Sequence, residues 1–175
     1  IVQQHSGFIQ VKSEPGQGTC FTIALPAYAS ALEEAEEDST ATPEDASRWY
    51  GHGECLLVVE DEEGVREFLN RALRLARYEP LMAVDLAEAR TRMAADGPRI
   101  KLVLSDVVLP DGNGLDLAAE LRRRDQVLPI ILASGYQSDR SRFEEIKANG
   151  FSFLQKPYAM HELLKTLHQH LHPPA

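Results

Sequence analysis

The chain has 175 residues, 43% of them hydrophobic, two cysteines and a net charge of −9. That length suits one domain with an appendage. Every apolar run falls short of the roughly 18–20 residues that span a bilayer, and the acidic balance argues against general affinity for nucleic acid or direct membrane contact. Cys20 and Cys55 are too few and too distant for a disulfide framework, which points to a reducing cytoplasmic setting. The opening IVQQHSG has no initiator Met and no basic-then-apolar leader, so the chain reads as a piece of a longer protein.

In chain order, FIQVKSE and TCFTIALP alternate as strands around a PGQG turn, predicting a β-hairpin within residues 1–26. Residues 27–53 hold seven acidic residues and one arginine, which is −6 of the net −9. With few large aliphatics they have the composition of a linker. As a coil such a linker spans on the order of 30 Å. Trp49 and Tyr50 at its end are expected to pack on the domain beyond it.

Residues 54–172 then alternate by type. The apolar runs ECLLVV, PLMAV, KLVLS, LPIILAS and FSFLQ predict five strands at 54–59, 80–84, 101–105, 128–134 and 151–155. Between them lie helical patterns: Val65 to about Arg77, a second capped by Asp85 and closed by Gly97, LDLAAELRRR, and SDRSRFEEIKANG stopped by Gly150. Met160, Leu163, Leu164, Leu167 and Leu171 mark the last helix. Five βα units with wholly apolar strands predict an α/β fold, a doubly wound five-stranded parallel sheet with helices on both faces.

Ligands of such sheets bind outside the carboxyl ends of the strands. Those ends carry Glu60-Asp61-Glu62, Asp106, Ser134-Gly135 and Lys156-Pro157. Singly they read as N-caps, a turn and a surface amine. Jointly they set carboxylates, a hydroxyl and an ammonium on one rim, and clustered carboxylates call for a cation. Mg²⁺, a hard ion that takes oxygen ligands, suits them.

VVEDE, LVLSDVVLPDGNG, ILASGY and LQKPY, in this order between about Glu54 and Leu171, resemble the signature blocks of the response-regulator receiver domain. The resemblance implies a flavodoxin-like strand order 2-1-3-4-5 and a reversible phosphoacceptor. Asp106 would take a phosphoryl group from a phosphohistidine, on a kinase dimerisation domain or a histidine phosphotransfer protein. Glu60, Asp61 and Asp106, with the backbone carbonyl of Val108, would hold Mg²⁺. Ser134 would bond a phosphoryl oxygen, Lys156 would supply a cation, and Phe153 matches the switch aromatic. Lys156–Pro157 matches the family's cis bond. Glu60 departs from the Asp of many members, and its longer side chain makes a ligand role through water the expectation. Val108 and Tyr136 match the positions flanking the hydrolytic water and imply slow self-dephosphorylation.

IVQQHSGFIQVKSEPGQGTCFTIALP resembles the closing hairpin of a sensor histidine kinase's ATP-binding domain. Its nucleotide-binding motifs would lie before Ile1, so no ATP site is expected here. The resemblance implies a hybrid histidine kinase, anchored in a membrane, if at all, through an upstream region. The hairpin's uncovered edges leave pairing into a homodimer open. His161, His168 and His172 lie at i, i+7 and i+11 on the last helix, and His168 and His172 could share a metal at i, i+4, but no carboxylate or Cys completes a site, and a solvated helix face is expected. Arg122 to Arg124 read as a cationic helix end complementing the dipole. The rival readings are a pseudo-receiver that only binds partners, and a strand-end-Asp phosphatase. The latter wants a second Asp at 108, where Val stands.

Overall fold

The computed structural model describes residues 8–14, 16, 18–24, 47–135, 146 and 148–173. They fall into two compact units, divided between Thr42 and Pro43. In the first, β1 (Phe8–Glu14) and β2 (Gly18–Ala24) pair antiparallel in unbroken register from Phe8↔Ala24 to Glu14↔Gly18. Gly16 and Gly18 take φ of 76° and 90° at the turn, a region that strains other residues. The pairs Ile9↔Ile23 and Val11↔Phe21 line one face, and all four side chains are more than half exposed.

The second unit is a parallel sheet wound on both faces. Its strands are β3 (Cys55–Val59), β4 (Glu79–Ala83), β5 (Ile100–Asp106), β8 (Ile130–Ser134) and β9 (Ser152–Gln155), in the order β4-β3-β5-β8-β9. That is 2-1-3-4-5 among the five, as the resemblance implies. A two-residue ladder, β6 (Val108–Leu109) with β7 (Gly112–Asn113), comes directly after β5. The helices are α1 (Glu63–Leu75), α2 (Leu86–Asp96), α3 (Gly114–Arg124) and α4 (Met160–Leu171). The residues before Gly150 expected to form a further helix lie mostly outside the described residues. Gly150 does take φ 72°, and the Phe151 amide closes back on the Ile146 carbonyl at 3.1 Å.

All five residues of β3 are buried, and alternation sends them to different cores. Leu57 and Val59 join Leu86, Ala89, Leu117 and Leu121 on the α2–α3 side. Leu56 and Val58 join Leu69, Leu73, Leu163 and Leu167 on the α1–α4 side. Pro80 is tolerated in β4 because that strand is an edge, where a missing N–H leaves no partner unpaired. Asp85 caps α2 as expected, accepting from the Glu88 amide at 2.7 Å.

Residues 47–53 belong to this unit. Trp49 and Tyr50 pack on the α1–α4 core, as expected. The Gly51 and Gly53 amides donate to the Ala76 and Arg77 carbonyls at 2.9 and 3.0 Å, satisfying the open end of α1. Arg77 turns that end with φ 65°, a place more often given to glycine. Among the described residues no helix is long and apolar enough to cross a membrane.

Candidate functional site

The carboxyl ends of β3, β5, β8 and β9 deliver one side chain or more each to the same rim. Glu60 comes just after β3 and is 3% exposed, with Asp61 next to it in solvent. Asp106 ends β5, Ser134 ends β8, and Lys156 comes just after β9. The Lys156 Nζ donates to Glu60 Oε2 at 2.6 Å and to Asp106 Oδ2 at 2.8 Å. Glu60, Asp61 and Asp106 each offer an oxygen within 4.8 Å of the others. Ser134 and Lys156 are held in register by the main chain, since the Lys156 amide donates to the Ser134 carbonyl at 2.9 Å. The peptide bond between Lys156 and Pro157 is cis.

Three carboxylates against one ammonium leave this rim underbalanced. The Asp106 carboxyl is raised to about 6: burial and the Glu60 carboxylate push it up further than the Lys156 ammonium pulls it down. Burial alone would lower the Lys156 ammonium, but its bonds to Asp106 and Glu60 hold it above its ordinary value. One ammonium shared by two acids satisfies neither in full. The all-oxygen donor set and the surplus negative charge fit a hard dication such as Mg²⁺.

Beside these groups lies a cavity of about 340 Å³ lined by Asp106, Val108, Ala133, Ser134, Gly135 and Lys156. A Cβ at Gly135 would meet nothing nearer than the Lys156 Cβ at 3.8 Å, so the space above the carboxylate is open. Val108 sits on that wall with an exposed, purely apolar side chain. Phe153 is half-buried on β9 opposite Leu132, against the α2–α3 core. Tyr136 lies outside the described residues.

The sequence model of the response regulator receiver domain matches residues 56–168. The chain belongs to that family. It is 34% identical to the sensor kinase CckA of Brucella abortus (strain 2308) over 177 residues, 98% of this chain but 18% of that kinase. It is 38% identical to the response regulator MprA of Mycobacterium avium (strain 104), over 62% of this chain and 47% of that protein. The chain thus spans less than half of these relatives. Among solved structures, the receiver domain of the hybrid histidine kinase CckA superposes with a TM-score of 0.56 at 32% identity, covering 67% of this chain and 98% of that one. A receiver from Clostridium thermocellum, 20% identical, shares the fold with a TM-score of 0.62 over 67% and 93% of the two chains.

Several residues that position this receiver's rim escape a reading of the sequence. Gly114, at the start of α3, lies so close to β5 that a Cβ there would stand 2.0 Å from the Asp106 carbonyl oxygen. The second glycine of GNG, directly before a helix, is the signal for it. The buried Ser105 hydroxyl donates to the same carbonyl at 2.9 Å. Arg66 on α1 reaches back to the Glu60 and Asp61 carbonyls at 3.1 and 2.9 Å, fixing the backbone that carries both acids. Asp111 accepts from the Leu86 and Ala87 amides at 2.9 and 3.0 Å, capping α2 from the loop between β6 and β7. No local pattern announces those last two.

Proposed function

We propose that this receiver is a phosphoacceptor in a two-component phosphorelay, with Asp106 as the acceptor. The observation that carries the reading is the Lys156 ammonium held between Glu60 and Asp106 at the mouth of an open cavity. An Oδ of Asp106 attacks the phosphorus in line, the P–N bond of the donor phosphohistidine breaks, and the released imidazole nitrogen takes a proton from solvent. The product is an acyl phosphate. Little covalent chemistry is asked of the protein, so positioning and charge neutralisation dominate. Lys156 pairs with a phosphoryl oxygen and Ser134 donates its hydroxyl to another; Gly135 leaves them room. Bound Mg²⁺ supplies further neutralisation of the phosphoryl charge. Asp61, Asp106 and the Val108 carbonyl would hold it, and Glu60 would hold it most weakly because Lys156 already engages that carboxylate.

Engagement of Ser134 by the phosphoryl group shifts Phe153, the switch aromatic. Val108 offers no group to orient a hydrolytic water, which favours slow self-dephosphorylation and relay. The donor is a kinase's phosphohistidine domain or a histidine phosphotransfer protein. Residues 1–26 are the closing hairpin of a kinase ATP-binding domain and 54–172 the receiver; 27–53 link them, with 47–53 packed on the receiver. The match to a sensor kinase along 98% of the chain supports a hybrid-kinase parent.

Acetyl phosphate with Mg²⁺ should add one phosphoryl group, read by intact mass, and Asp106→Asn or excess EDTA should abolish it. A variant that still gains the group refutes the acceptor. In Mg²⁺ titrations Asp61→Ala should lose more affinity than Glu60→Ala, and equal losses contradict the ligand ranking.

A further inference from the structure

We infer that His52, Glu54, His168 and His172 form a second metal site, for a transition-metal dication such as Zn²⁺, at the end of the sheet opposite the acidic rim. Glu54 stands directly before β3 and Glu60 directly after it, so the whole buried strand separates the two clusters. The sequence offered the helical pair at i, i+4 no carboxylate, and the fold brings Glu54 to it.

His172 stands at the centre. Its Nε2 lies 3.0 Å from Glu54 Oε1, and its ring centroid lies 4.6 Å from that of His168 and 5.8 Å from that of His52. The other Glu54 oxygen accepts from the His52 amide at 2.6 Å. The His168 Nδ1 is shut away from solvent with no hydrogen-bond partner, an unsatisfied group that packing alone does not explain.

Three imidazoles and one carboxylate are a donor set for Zn²⁺, Ni²⁺ or Cu²⁺ and a poor one for Mg²⁺. The donor atoms are not gathered as tightly as the rim carboxylates, which alone among the described residues place three within 4.8 Å. His52 and His172 are exposed, so their rings can rotate onto an ion without disturbing the core. Ligation would fasten the segment by which the chain enters the domain, residues 49–54, to the last turn of α4.

Calorimetric titration with ZnCl₂ under saturating Mg²⁺ tests this without reference to phosphoryl transfer. One site is expected. His168→Gln and His172→Gln should each weaken it at least about tenfold, the scale on which ligand networks respond to loss of a member. Glu54→Gln and His52→Gln should weaken it severalfold, and His161→Gln should leave it unchanged. Trp49, the only tryptophan, packs edge-on to His168 at 5.3 Å, so Ni²⁺ should quench its fluorescence in wild type and not in His172→Gln. Because His172 is exposed, that variant keeps the fold even if His168→Gln does not. Three results overturn the site: Zn²⁺ affinity indifferent to His172→Gln; affinity indifferent to both Glu54→Gln and His52→Gln, which leaves a bare helical pair; or uptake that vanishes in Asp61→Asn, which puts the ion on the rim.

Discussion

At the carboxyl ends of β3 and β5, two of three clustered carboxylates share one ammonium; at the amino end of β3, one carboxylate meets the His172 imidazole, beside the rings of His52 and His168. The same buried strand holds both clusters. The rim keeps surplus negative charge at the edge of an apolar core, where an unpaired carboxylate costs stability. The opposite end sets one carboxylate against an imidazole, and its His168 packs edge-on to Trp49. The contrast locates where this molecule gives up stability for chemistry: substitutions that relieve charge at the rim should stabilise, while those at the other end should obey ordinary packing rules.

The largest break should come from Gly114→Ala. With its Cβ 2.0 Å from the Asp106 carbonyl, α3 must move off β5, and urea melts should fall by about 3 kcal/mol, the upper range for overpacking. Gly135→Ala, with its nearest contact at 3.8 Å, should stay within about 0.5 kcal/mol of wild type. Equal effects would remove the close-approach account.

Lys156→Gln comes next. Stripped of their ammonium, the acids repel each other, and metal-free protein at pH 7 should lose about 2 kcal/mol, less than a fully buried pair loses. Mg²⁺ should restore part of that loss.

Asp106→Asn should act in the opposite direction. The folded protein holds the Asp106 proton up to about pH 6, against 3.8 ordinarily, so this group favours folding at low pH and loses that contribution as pH rises through 6. Metal-free Asp106→Asn should therefore be more stable than wild type by about 1–2 kcal/mol at pH 7. The advantage should shrink below pH 6 and vanish near 4. A constant difference across that range would contradict the charge account.

At the other end the expected effect is smaller. Arg77→Gly relieves a left-handed residue at the end of α1 and should stabilise by about 0.5–1 kcal/mol at any pH between 5 and 8.

The same division between local pattern and long-range contact governs how much could be foreseen. Apolar runs and helical spacing are local, so the five strands, their parallel arrangement and the cap at Asp85 were legible in the sequence. So was the gathering of Glu60, Asp61, Asp106 and Lys156, because in a parallel sheet the carboxyl ends of the strands share one edge. The close approach of Gly114 to Asp106, the reach of Arg66 and the Asp111 cap on α2 were not. Each depends on how two elements dock. Glu54 meets His172 across more than a hundred residues, and no helix-based spacing rule could pair them.

The claim that the rim exists for acceptor chemistry at Asp106 is tested most directly by trapping the product. Receiver treated with a phosphohistidine donor and Mg²⁺ would be quenched with borohydride, which reduces an aspartyl phosphate to homoserine, and mapped by peptide mass spectrometry. Homoserine at position 106, absent when donor or Mg²⁺ is withheld, is the expected result. An unmodified Asp106 in protein that has gained phosphate, or homoserine at position 61, would contradict it.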